Sequence, residues 1–79
     1  MIDQKRFLEI RKAVSKSKAE VSVYRQVADM ALKNARTCVQ LEQVEFFDAW
    51  MAIEKFCENK LSENLKLLED LSKELKDPD

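Results

Sequence analysis

Five carboxylates crowd the middle of the chain: Glu42, Glu45 and Asp48, followed by Glu54 and Glu58. At helical spacing they could assemble an acid–base or metal-binding set. Helical bundles that hold two metal ions do so with Glu-x-x-His pairs on facing helices. This chain has no histidine, so the set lacks its nitrogen ligands and the commonest general base at neutral pH. The nucleophilic candidates are Cys38 and Cys57. A thiol needs an activating base, and neither has a histidine to supply one. Two cysteines alone also make neither a common zinc site nor a disulfide framework. The acids are therefore read as solvated charge on helix faces, and the cysteines as buried, reduced, small apolar side chains. No catalytic residue, cofactor or metal ligand is expected, and the chain is read as a non-enzyme.

The backbone composition points the same way. The 79 residues include no glycine, and the only proline is Pro78. An average chain of this length would carry roughly five or six glycines and about four prolines. Without glycine there is no phosphate-cradling loop, dinucleotide fingerprint or nucleophile elbow. Glycine and proline are also the usual punctuation of turns and helix ends. Their absence predicts long helices in a single all-α domain covering residues 1–79.

The apolar residues give those helices their faces. Phe7, Ile10, Val14, Val21, Tyr24, Ala28, Ala31, Ala35 and Cys38 recur at spacings of three and four, with Ser17 as the one polar interruption. That is a heptad seam sustained for more than four heptads. A second stripe runs through Phe46, Trp50, Ile53, Cys57, Leu61, Leu65, Leu68, Leu71 and Leu75. Asp3 can cap the first helix, and Lys73 and Lys76 suit the last turn of the second before Asp77-Pro78-Asp79 stops it. Residues 36–43 fit neither seam, and Thr37 with Gln40 offers a capping-box pattern. The spacing thus predicts a helix over about 3–37, a turn over about 38–43 and a helix over about 44–76. A second capping box, Ser17 with Glu20, marks a competing break that would give three helices; the heptad runs through it in phase, which favours continuity.

Folding the chain near residue 40 sets Ala35 against Phe46, Ala31 against Trp50, Ala28 against Ile53 and Tyr24 against Cys57. Further on, Val21 meets Leu61, Val14 meets Leu68, Ile10 meets Leu71 and Phe7 meets Leu75. Small residues oppose large ones, as a close-packed interface requires. The expected architecture is a long, coiled-coil-like antiparallel helical hairpin. Apolar residues are left over: Val23, Val27, Met30 and Leu32 lie off the first seam, and Val44, Phe47, Met51 and Phe56 off the second. Most lie near the turn, where a lone hairpin would leave them wet. Dimerisation into a four-helix bundle would cover them, as would a different protein. Val27, Met30, Val44, Phe47 and Met51 are accordingly the candidate partner or dimer interface. Stoichiometric binding, as an adaptor, small chaperone or inhibitor of a larger machine, is the function this composition suits.

The charge distribution supports a second reading. Residues 1–36 hold nine Lys/Arg against four Asp/Glu, a balance of +5, whereas residues 37–79 hold five against eleven, a balance of −6. Opposite arms of a hairpin attract one another in this way. A basic helix can instead grip a nucleic-acid backbone, with Lys5, Lys12 and Lys16 as contacts on one helical side. The net charge of −1 gives the whole molecule no polycationic signature. Met1-Ile2 leads straight into charged residues without an apolar leader core, and no run reaches the ~20 apolar residues that span a bilayer. A cytoplasmic protein without a membrane association is expected.

Overall fold

Asp3 starts the first helix: its Oδ1 accepts the Arg6 amide at 2.7 Å, satisfying one of the orphan donors of the first turn. In the computed structural model, which describes residues 3–76, two helices follow, α1 at Gln4–Gln40 and α2 at Val44–Lys76. Met1-Ile2 and the predicted helix stop Asp77-Pro78-Asp79 lie outside the described residues. The helices pack only on each other, as an antiparallel hairpin 59 Å long and about 15 Å across. Its radius of gyration is 17.7 Å, whereas a compact 79-residue domain would have roughly 12 Å.

α1 is unbroken through Ser17, so the three-helix alternative does not occur. It also continues past the predicted end at residue 37. Thr37 caps nothing: it lies inside α1 and its hydroxyl donates to the Lys33 carbonyl at 3.1 Å. The turn is residues 41–43, shorter than predicted. The Glu42 amide donates to the Val39 carbonyl at 3.2 Å and the Gln43 amide to the Cys38 carbonyl at 2.8 Å. This pair of bonds is a Schellman motif, whose central residue must turn left-handed. Glu42 takes that conformation at φ 59°, doing without glycine what glycine ordinarily does. The first bond of α2 follows, from the Phe47 amide to the Gln43 carbonyl at 3.0 Å.

The α1 seam is as read: Ile10, Ser17, Val21, Ala28, Ala31, Ala35 and Cys38 are buried, and Val14 and Tyr24 half-buried. Phe7, at the open end, stays exposed with the Arg11 guanidinium 6.0 Å from its ring centre. The α2 seam differs at four places. Phe46, Ile53 and Leu65 point outward, with Phe47, Glu54 and Asn64 in the inner positions, and Leu75, at the open end like Phe7, stays exposed. The expected stripe 46–53–65 steps unevenly, drifting off the face that a regular three–four alternation keeps on its partner. The regular alternation passes through 47, 50, 54, 57, 61, 64, 68 and 71, so Glu54 and Asn64 come inside because of where they stand, not because of what they are.

Three links fix the register. Arg6 makes a two-pronged ion pair with Glu74, Nε to Oε1 at 2.8 Å and Nη2 to Oε2 at 2.9 Å. The Ser17 hydroxyl donates to Asn64 Oδ1 at 2.9 Å, and Asn64 Nδ2 donates to the Lys60 carbonyl at 3.0 Å. The Tyr24 and Phe56 rings meet edge to face, 6.3 Å apart. The seam's polar interruption on α1 is thus matched by one on α2, and both are satisfied. Cys57, almost fully buried, lies in the same seam, and neither cysteine forms a disulfide.

Candidate functional site

The seam uses one stripe of each helix and leaves two flanks. In the register just described, α1 positions Val23, Val27 and Met30 share the first flank with α2 positions Phe46, Ala49, Ile53 and Phe56, and Val27 lies opposite Ile53. These residues run without a charge over the half of the hairpin nearer the turn. Val23 is 56% exposed, Met30 49%, Phe46 58%, Ile53 39% and Phe56 55%. The Lys60 ammonium lies 5.6 Å from the Phe56 ring centre and 3.4 Å from the Glu63 carboxylate, closing the patch on its far side from the turn. Toward the termini the same flank becomes charged, with both signs: Lys16 and Glu20 on α1, Lys60 and Glu63 on α2, then the Arg6–Glu74 pair.

The second apolar surface is at the turn. Cys38, Val39, Glu42, Val44 and Phe47 enclose an open hollow of about 490 Å³. Val39, Leu41 and Val44 are all more than 60% exposed around it. Leu32 and Met51, both half-buried, continue it along the second flank. Beyond them that flank is mostly polar, carrying Arg11, Lys18, Arg25, Lys55 and Glu58, with Leu65 and Leu8 as isolated exposed apolar side chains.

The five residues expected as one interface are therefore divided. Val27 and Met30 stand on the first flank, and Val44 and Met51 at the turn end and second flank. Phe47 lies between them, half-buried in the seam. The division follows from the one-residue shift in α2: with Phe47 inward, Phe46 goes to the first flank and Val44 to the other. Phe46 and Ile53, read as core, are thereby surface residues, whereas Phe56 lies off the seam as read. Alternation carried back across the four-residue step from Leu61 to Cys57 passes through Glu54, Trp50 and Phe47 and leaves Phe46 and Ile53 outside.

Charged side chains in and near the seam respond in opposite senses. The Glu54 carboxyl is held above its usual range, first by its hydrogen bond to Glu58, then by burial and by repulsion from that neighbour. The Glu74 carboxyl is held below its usual range by its hydrogen bond to Arg6 and the attraction of that charge. Glu54 is buried in the seam while Glu58 is exposed, and no three Cys, Asp or Glu side chains converge as a metal site among the described residues. Lys5, Lys12 and Lys16 are exposed along the terminal half of α1. No helix among the described residues is long and apolar enough to cross a membrane.

No known protein family, curated protein or solved structure matches this chain. The functional reading thus stands on its surfaces.

Proposed function

We propose that the protein is a non-enzymatic interaction module that acts in the cytoplasm by stoichiometric binding, as an adaptor, small chaperone or inhibitor of a larger protein. Its working unit is a pair of hairpins packed as a four-helix bundle. One observation carries this reading: the helix pair presents apolar surface on one flank and around its turn, while its catalytic inventory is bare. The chain exposes 6365 Å². A compact monomer of 9.3 kDa would expose roughly 5,000 Å². The difference, about 1,400 Å², exceeds the roughly 800 Å² that a standard interface removes from each partner and lies in the range of larger homodimer interfaces. The apolar contact residues are Val27 and Met30 on the flank, and Val44, Phe47 and Met51 at the turn.

The test is binding to a partner identified by mass spectrometry from the native host and then reconstituted from purified components. Met51→Asp and Val44→Asp should abolish that complex while circular dichroism shows the helices intact. Retention of binding by both variants would remove the turn-end surface from the proposal. A salt-sensitive gel shift that Lys12→Glu/Lys16→Glu eliminates would favour the nucleic-acid reading instead, with Lys5, Lys12 and Lys16 as phosphate contacts. The expected result is no shift at low salt.

A further inference from the structure

We infer that the first flank is the surface on which a second copy of this chain packs, and that the turn-end hollow stays outside that interface. The inference rests on the paired-hairpin reading above and adds which face does the pairing. Five side chains carry it: Val23, Met30, Phe46, Ile53 and Phe56, exposed between 39% and 58%. Side chains of this size present roughly 150–250 Å² when fully exposed, so together they leave on the order of 500 Å² of apolar surface in water. A standard interface takes about 800 Å² from each partner, and homodimer interfaces are about 65% apolar, which calls for about 520 Å². The patch supplies that area on one continuous face.

The borders of the patch fit a second copy as well. A surface bounded by charges of one sign would repel its own image. Here Lys16 and Lys60 alternate with Glu20 and Glu63, two cations with two anions, so neither sign dominates the rim that two copies would bring together. The second flank offers no comparable face. Beyond Leu32 and Met51 it carries Arg11, Lys18, Arg25, Lys55 and Glu58, whose burial would strand charge, and its other exposed apolar side chains, Leu65 and Leu8, stand apart among those charges. A two-fold axis through the first flank therefore covers the largest apolar surface at the least cost in desolvated charge, and closes the assembly at two hairpins.

Sedimentation equilibrium on the full chain at micromolar concentrations tests this, with circular dichroism on each variant. The wild type should sediment as a dimer. Phe56→Asp should raise the dissociation constant by roughly 100-fold or more, because each dimer loses two aromatic contacts and brings two carboxylates into the apolar face. Met30→Asp, from the other helix of the same flank, should act in the same direction and stands in if the first variant loses helicity. Val39→Asp, at the turn end, should leave the dimer intact. A monomeric wild type would overturn both the inference and the paired-hairpin reading. A dimer that Val39→Asp dissociates while Phe56→Asp and Met30→Asp do not would overturn the choice of face and leave the pairing in place.

Discussion

The two ends of this hairpin solve the same packing problem with opposite materials. Toward the termini, sizeable side chains fill the seam, Ile10 and Leu71 among them, and polar links lock the helices together: Arg6 to Glu74 outside and Ser17 to Asn64 inside. Toward the turn, α1 offers only small side chains to the seam, Ala28, Ala31, Ala35 and Cys38, all buried; Phe47 and Trp50 of α2 are half-buried there, and the large side chains Phe46, Ile53 and Phe56 stand outside. Small inner residues let two helices approach closely and leave little volume for apolar side chains between them. The terminal half is tied by polar links and a filled seam, with Phe7, Leu8, Leu65, Leu67 and Leu75 exposed singly among its surface charges. The turn half carries larger and more contiguous apolar surface outward. Local composition of a seam thus decides how much apolar surface a helix pair can keep inside.

The contrast can be broken most severely from inside. Ile10 is fully buried, so Ile10→Ala should cost about 2–5 kcal/mol by cavity formation, read by urea denaturation at a fixed protein concentration because association adds to apparent stability. Ala31, equally buried in the turn half, has the opposite sensitivity: Ala31→Leu should cost about 1–3 kcal/mol by overpacking. If Ala31→Leu proves neutral, the turn half is looser than its alanines imply. Next is the polar link within the seam. Ser17→Ala strands the Asn64 amide oxygen and should cost about 1–3 kcal/mol. The double variant Ser17→Ala/Asn64→Leu should recover most of that loss, because no buried polar group is left without a partner. A double variant no better than the single one would show that the pair does more than satisfy itself.

At the turn, Glu42→Gly should stabilise the hairpin. A left-handed residue other than glycine carries a penalty of about 1–2 kcal/mol, and the flexibility glycine adds to the unfolded chain returns part of it, leaving a gain of about 1 kcal/mol or less in the same denaturation assay. The smallest effects are electrostatic, and they separate the halves by sign. Glu54, in the turn half, has a raised folded pKa, so its contribution is intact below the ordinary value near 4.5 and is lost as pH rises through the folded value. Glu74, in the terminal half, has a lowered one, so its contribution is present above 4.5 and is lost as pH falls through its folded value. Glu54→Gln should flatten the stability profile above pH 4.5, and Glu74→Gln should flatten it below. Added salt should shrink the second effect, since the Arg6–Glu74 pair is partly exposed. Identical profiles for both variants would contradict the opposite environments of these two acids.

The hairpin, the continuity of α1 and its whole seam were legible in the sequence because the three–four alternation never leaves phase between Ile10 and Cys38. The α2 seam was legible only in part. Its regular alternation passes through Glu54 and Asn64, and each stands beside an apolar neighbour, Ile53 or Leu65, that looks the better core residue. Side-chain type and helical phase disagree there, and in the fold phase prevails, because a rigid helix cannot rotate locally to suit one residue. The candidate surface inherited that ambiguity: exchanging Phe46 and Phe47 divides one expected patch between two places. The turn was hidden for another reason. Nothing about a glutamate announces a positive φ, and only the carbonyls of Cys38 and Val39, waiting for donors, demand it.

The length of the hairpin has a consequence of its own. The first and last described residues, Asp3 and Lys76, emerge at one pole, and the turn stands at the other, 59 Å being the full span of the molecule. Anything tethered at the terminal pole is held away from the turn by that length, so the molecule is proportioned as a rod. A fluorophore pair with one dye at each pole would report bending of that rod, whereas a pair with both dyes at the terminal pole would report only fraying of its ends.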